Sequence, residues 1–220
     1  MKKTDFFLSY LYPVTIESTG SKWNPVLDVV LSAGKLSLNS RNSNYSYGSL
    51  YLLFEKVFRK VSIRWERINR VLILGFGARG AAEIINRYSR DCRIDGVEID
   101  EKVIELGRKY FSLDHLDNVS VHVTGAFEYV KKCNSDYDLI IIDVYQDMDV
   151  PPEIESEEFL AGIRKILSPG GLAISNKFIH DRQSMDQVGK LSALYIKVFG
   201  NLEVMNLMLT GKVFVSAAES

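Results

Sequence analysis

The sequence predicts an α/β fold on a mostly parallel sheet, and three observations predict it. From Val71 onward, short apolar runs of strand length alternate with stretches whose apolar residues recur at helical spacing. The first run, Val71-Leu72-Ile73-Leu74, opens into glycines at 75, 77 and 80, and the next closes on Glu98-Ile99-Asp100. The chain ends in two further strand-like runs, Leu202 to Leu209 and Val213 to Ala217, so close together that only an antiparallel hairpin can join them. Alternating strands and helices make βαβ units, and ligands then belong at the carboxyl ends of the strands.

Taken in order, residues 1–46 form a small β-element, rich in Ser, Asn, Thr and Tyr. Its strand-like runs are Tyr12 to Glu17, Val26 to Leu31 and Lys35 to Leu38, with Ala33-Gly34 as a hairpin turn. From Gly48 to Val61 the pattern becomes helical: Leu50, Leu53, Phe54, Val57 and Phe58 share a stripe that Glu55, Lys56, Arg59 and Lys60 largely avoid. This helix leads residues 47–220, assigned to one cofactor-binding catalytic domain. Within it, strands are predicted at 71–75, 93–98, 119–123, 138–143 and 171–176, and helices at 79–89, 101–110, 126–132, 157–167 and 184–199. With the terminal hairpin the sheet has seven strands.

With 220 residues, 46% of them hydrophobic, the chain can bury a full core. A net charge of -1 gives no general reason to expect nucleic acid or an anionic membrane as partner. Cys92 and Cys133 are the only cysteines, which argues against a disulfide framework. The apolar start Phe6-Phe7-Leu8 is interrupted by Ser9 and Pro13, and no run approaches the roughly 18 apolar residues of a membrane span. The expectation is a cytoplasmic protein, with a homodimer left open. His115, His122 and His180 are scattered, so no metal site is expected.

Gly75, Gly77 and Gly80 satisfy G-x-G-x-x-G, where missing side chains permit a tight turn and close approach of backbone to ligand. Glu98 ends the next strand, and an ionised carboxylate there can accept both hydroxyls of a ribose. Asp100 stands just before a helix and reads as its N-cap. A nucleoside cofactor is the leading idea, with NAD as one literal fit to the glycine pattern.

Further ordered segments extend this pattern: Val97-Glu98-Ile99-Asp100-Glu101-Lys102-Val103-Ile104, Thr124-Gly125-Ala126-Phe127-Glu128-Tyr129-Val130, Tyr137 through Tyr145, and Leu167-Ser168-Pro169-Gly170-Gly171. Together with residues 71–77 they resemble the class I S-adenosylmethionine-dependent methyltransferase superfamily, and within it the spermidine synthase-like group. The resemblance implies a Rossmann-like fold. It places Gly75, Phe76, Gly77, Ala78, Gly80, Glu98, Ile99, Gly125, Ala126, Phe127 and Asp143 around S-adenosylmethionine or its decarboxylated form. It also implies that Asp143 orients and deprotonates an attacking amine, with Tyr47, Tyr145 and Asp147 near the acceptor.

Three departures bear on the reaction. Polyamine synthases typically carry an Asp in the glycine turn where this chain has Ala78, so a like-charge barrier against carboxylated donor is missing. The family's Tyr-His-Glu-like segment falls at Tyr47-Gly48-Ser49 without its Glu, and Val144, Tyr145 and Gln146 separate Asp143 from Asp147. These changes favour S-adenosylmethionine as donor and methyl transfer as reaction, with aminopropyl transfer the alternative and a non-catalytic cofactor-binding module a further one. Between Cys133 and Ile163 lie nine acids and no Lys or Arg, a suitable wall for a small cationic amine. Part of that charge has a plainer use, since Ser156 reads as an N-cap and Glu157 and Glu158 suit the first turn of a helix.

Overall fold

The computed structural model describes residues 3–41, 49–146, 148–207 and 211–218. A short helix α1 (Lys3–Leu8) precedes strands β1 (Val14–Thr19), β2 (Leu27–Ser32) and β3 (Lys35–Ser40). Helix α2 (Ser49–Lys60) leads into β4 (Arg70–Leu74), α3 (Gly80–Tyr88), β5 (Arg93–Glu98), α4 (Glu101–Phe111), β6 (Val119–Val123) and α5 (Ala126–Lys132). Then come β7 (Tyr137–Ile142), α6 (Glu157–Lys165), β8 (Leu167–Phe178), α7 (Arg182–Phe199), β9 (Glu203–Asn206) and β10 (Gly211–Ala217).

Strands β1, β2 and β3 form an antiparallel sheet, and Ala33 and Gly34, with φ of 49° and 75°, make the tight turn between the last two. The large sheet has the order β6-β5-β4-β7-β8-β10-β9. Its first five members run parallel, while β10 lies antiparallel between β8 and β9. The expected seven-stranded, mostly parallel sheet with a terminal antiparallel hairpin is therefore present.

Alternation along β4 shows how the layers are held. Val71 and Ile73 face a core with Phe54, Val57 and Phe58 of α2 and Ile84 and Ile85 of α3. Leu72 and Leu74 face the other core, with Phe159 and Ile163 of α6 and Tyr195 of α7. Apolar residues on both faces make β4 a continuous hydrophobic run, as a central parallel strand requires. A third cluster joins the two sheets: Leu27, Val29 and Leu38 pack on Val103, Leu106 and Phe111.

A polar latch reinforces that joint. Asp100 caps α4, its Oδ1 accepting the Lys102 N–H at 3.0 Å. Its Oδ2 accepts from Asn24 Nδ2 at 2.7 Å and from the Ser21 hydroxyl. Asp100 is 1% exposed, so the capping carboxylate is also a buried anchor for the loop between β1 and β2.

Some expectations need adjustment. Helix α1 was not anticipated from the interrupted Phe6-Phe7-Leu8 run. Strand β8 begins at Leu167 rather than at 171, because Leu167 already pairs with Tyr137 before the register shifts. The boundary drawn after residue 46 lies outside the described residues. Among the described residues, no helix is long and apolar enough to cross a membrane.

Candidate active site

The carboxyl ends of β4, β5, β7 and β8 build the site. After Leu74 the chain takes the left-handed region at Gly75 (φ 79°) and Gly77 (φ 61°), conformations that favour glycine. A Cβ on Gly75 would stand 2.2 Å from the Asp143 carbonyl oxygen, so only glycine lets the two strand ends touch. The Asp143 N–H donates to the Leu74 carbonyl at 2.8 Å, closing the same contact.

Glu98 is 6% exposed and held by two backbone donors. Gly77 N–H reaches its Oε2 at 2.9 Å and Asp100 N–H its Oε1 at 3.1 Å. Burial raises its pKa, against the lowering effect of those N–H groups. Each oxygen retains acceptor capacity, the arrangement a vicinal diol can meet with two O–H donors.

Not every residue of the glycine turn has a side chain available to ligand. Phe76 is 3% exposed, and its ring fills the space a Cβ on Gly96 would need. Ala78 is wholly buried, its methyl among the apolar residues that join the two sheets. Both therefore serve packing through their side chains and offer a ligand backbone only. Gly80 opens α3.

Ile99 is 40% exposed beside Gly125, with its Cδ1 3.7 Å from where a Gly125 Cβ would lie. It bounds one side of a cleft of about 760 Å³ whose other wall includes Ser21, Lys22 and Trp23. Ala126 starts α5 and is buried, while the Phe127 ring lies nearly parallel to Phe159 at 6.2 Å on the core side. Ile99 is thus open to the cleft, whereas Phe127 is turned toward the core.

Asp143 follows β7 and is half-buried. Burial pushes its pKa up to about 7; the Asn176 amide opposes the rise, and the neighbouring charge of Glu98 adds to it. Asn176, on β8, donates from Nδ2 to Asp143 Oδ1 at 3.1 Å. Sequence reasoning missed this residue, although a polar break in the otherwise apolar run Leu172-Ala173-Ile174 to Asn176, near a strand's carboxyl end, was a usable signal.

The acceptor side differs more from expectation. Tyr47 and Asp147 lie outside the described residues. The Tyr145 hydroxyl donates to the Asn176 carbonyl and accepts from the Phe178 N–H, both at 2.9 Å, so it braces the end of β8. The acidic segment is also partly neutralised from outside itself, since Lys177, 4% exposed, reaches Glu155 at 2.6 Å; the His180 ring lies 3.6 Å from Asp149. Counting charges within residues 133–163 could not reveal those partners. Ser156 caps α6, its Oγ accepting the Phe159 N–H. Among the described residues, no group of three or more His, Cys, Asp or Glu could hold a metal.

Residues 57–210 match the family described as "Spermine/spermidine synthase domain". The chain belongs to that family. A probable polyamine aminopropyl transferase of Bifidobacterium longum is 34% identical over 138 residues, covering 62% of this chain and 30% of that protein. A polyamine aminopropyltransferase of Vibrio vulnificus is 28% identical, covering 60% of this chain and 44% of its own length. The chain thus spans less than half the length of these curated relatives.

Among solved structures, a spermidine synthase in complex with the transition-state analogue AdoDATO matches with a TM-score of 0.73 at 18% identity, covering 92% of this chain and 73% of that one. Human methyltransferase-like protein 13 in complex with SAH matches at 0.64 and 21% identity, covering 77% and 81%. At these identities the likeness shows the fold, which both groups share. The expectation that methyl transfer leads is overturned by the family match and by relatives named for aminopropyl transfer.

Proposed function

We propose that this chain transfers an aminopropyl group from decarboxylated S-adenosylmethionine to an amine. The observation that carries the reading is Asp143: a half-buried carboxyl at the ligand edge, with its pKa raised to about 7, in a chain of this family. Glu98 fits the donor's ribose through its remaining acceptor capacity, and Ile99 and Gly125 offer the base a surface. When bound, the donor supplies an electrophilic carbon next to a sulfonium.

The chain's own residues do the rest. Asp143 accepts a proton from the incoming ammonium, which frees the nitrogen lone pair, and it holds that nitrogen in line with the carbon. A carbon–nitrogen bond forms as the carbon–sulfur bond breaks, and its electron pair leaves with sulfur as methylthioadenosine. Ala78, committed to the apolar joint between the sheets, presents no charge to the donor, so its amino end is read elsewhere. The acceptor is a small cationic amine, and Asp143 supplies the charge that draws it.

The test supplies either decarboxylated or ordinary S-adenosylmethionine with a set of terminal diamines and follows methylthioadenosine by chromatography. Release of methylthioadenosine only with the decarboxylated donor and a diamine is expected. Methyl transfer from the ordinary donor without methylthioadenosine would overturn the reading.

A further inference from the structure

Six large apolar side chains are exposed together on one short segment. Phe6, Phe7, Leu8, Tyr10, Leu11 and Tyr12 all lie at the surface, and Phe7 and Leu11 are 71% and 81% exposed. Globular proteins usually scatter such residues singly, and a contiguous set marks a contact with something apolar. No charged residue occurs from Phe6 to Ile16.

The segment is tied to the small sheet. Ser9, buried among these exposed neighbours, donates its hydroxyl to the Phe6 carbonyl at 2.7 Å and accepts the Gly34 N–H at 3.0 Å. Its carbonyl accepts the Ala33 N–H at 2.7 Å, so the β2–β3 turn holds the chain just past α1 by its backbone. Gly34 also lets two rings seat on that turn, because a Cβ there would stand 2.6 Å from the Tyr10 hydroxyl oxygen and 3.2 Å from a Phe6 ring carbon. Phe6 and Tyr10 meet edge to face at 5.5 Å and form the base of a knob from which Phe7 and Leu11 stand furthest into solvent.

Composition decides what the knob meets. Phe and Leu suit the acyl boundary of a bilayer, whereas Tyr suits the headgroup level, where its ring is covered and its hydroxyl stays wet. Here Tyr10 and Tyr12, each more than half exposed, accompany the more exposed Phe7 and Leu11. Lys3 at the start of α1 and Lys35 beside Gly34 are exposed cations, and the half-buried Asp5 is the only acid from Lys3 to Ile16. The chain's net charge of -1 does not oppose this, since attraction to a charged surface acts within about a Debye length. A second copy fits less well: six side chains, two of them little more than a third exposed, supply less than the roughly 800 Å² per partner of a standard interface.

We propose that this knob docks the protein on a lipid bilayer bearing anionic headgroups, with Phe7 and Leu11 entering the acyl boundary and Lys3 and Lys35 set against the headgroups. The inference is independent of which group the active site transfers.

The test mixes the full chain with unilamellar vesicles of phosphatidylcholine, alone or with phosphatidylserine, and reads the bound fraction by flotation. Wild type should bind the phosphatidylserine vesicles, less so as salt rises. Phe7→Ser combined with Leu11→Ser should lower the partition coefficient by at least about tenfold. Lys3→Ala combined with Lys35→Ala should lower it about tenfold on phosphatidylserine vesicles and leave phosphatidylcholine unaffected. All four side chains are exposed, so both variants should keep the wild-type circular dichroism and Tm. Tryptophan emission of Phe7→Trp should shift to shorter wavelength on the vesicles. No binding of wild type to phosphatidylserine vesicles overturns the proposal, as does equal binding by the double serine variant. Self-association in light scattering that the double serine variant abolishes, without vesicle binding, gives the surface to a second copy and overturns it as well.

Discussion

Asp95 and Asp143 are both half-buried on the large sheet, and their carboxyls titrate in opposite directions. Burial pushes Asp95 upward, but His122, Tyr137 and Arg70 more than offset it, with contacts at 3.0, 3.0 and 3.1 Å, and its pKa ends below the ordinary value. Around it, Tyr129 and Tyr137 share a further hydrogen bond at 2.8 Å, and Arg70 lies over the Tyr137 ring. Among the described residues Asp143 has one side-chain donor, Asn176, and a like charge nearby in Glu98. Burial alone therefore does not mark a reactive acid. A carboxylate surrounded by donors is held ionised as part of the scaffold, whereas one left short of donors keeps its proton to higher pH.

The sharpest way to break this comparison is to neutralise each acid in turn. Asp143→Asn should lower turnover by about 10²–10⁴-fold with little change in donor affinity, while Asp95→Asn should keep turnover within a few-fold. In wild type, kcat/KM should rise with pH and level off above about 7, where Asp143 is ionised, and steady-state rates across pH 5.5 to 9 would show it. Comparable losses in both variants would end the distinction.

Stability should show the mirror image. Asp95→Asn breaks a network and should cost about 2–4 kcal/mol near neutral pH, measured by urea unfolding. Its native pKa lies below the ordinary 3.8, so this stabilisation is present above that value and is lost as pH falls through the native one. The gap between variant and wild type should therefore close in acid.

Glu98→Gln sharpens the comparison from the donor side. It keeps the shape but offers one acceptor oxygen in place of two, and affinity for methylthioadenosine should fall by about 1.5–3 kcal/mol in calorimetry. Unchanged affinity would remove Glu98 from the diol.

The last effect, confined to alkaline pH, is on the stability of Asp143→Asn. Wild-type Asp143, with a native pKa of about 7 against an ordinary 3.8, holds a proton that the unfolded chain releases. Stability thus declines as pH rises through that window, and the asparagine variant is spared the decline. Its Tm should exceed that of wild type by roughly 10 °C at pH 9 and match it at pH 4.

Much of this was legible before any coordinates. The seven strands, the glycine turn, Glu98 at a strand end, Asp100 and Ser156 as caps, and Asp143 just past a strand end all follow from periodicity and local chemistry, which act within a few residues. What stayed hidden depends on contacts distant in sequence. The Ala78 side chain reads as part of a ligand turn until it is found buried in the apolar cluster that also holds Leu27 and Leu38. Tyr145 reads as a substrate residue until its hydroxyl is found bridging β8. Lys177, in a strand, gives no hint that it neutralises Glu155, 22 residues earlier. The preference for methyl transfer rested on three local departures, and the family match and the relatives outweigh them.

The latch at Asp100 makes the small sheet and the large sheet a single thermodynamic body. Its carboxylate opens the helix that follows Glu98 and at the same time grips Ser21 and Asn24. Fraying of the β1–β2 loop would leave a buried charge short of donors two residues from Glu98, and would uncover Leu106 and Phe111. The first sheet is therefore no detachable appendage. Heat or denaturant should remove both parts in one transition, and a fragment starting at residue 47 should be a poor starting point for grafting this site elsewhere.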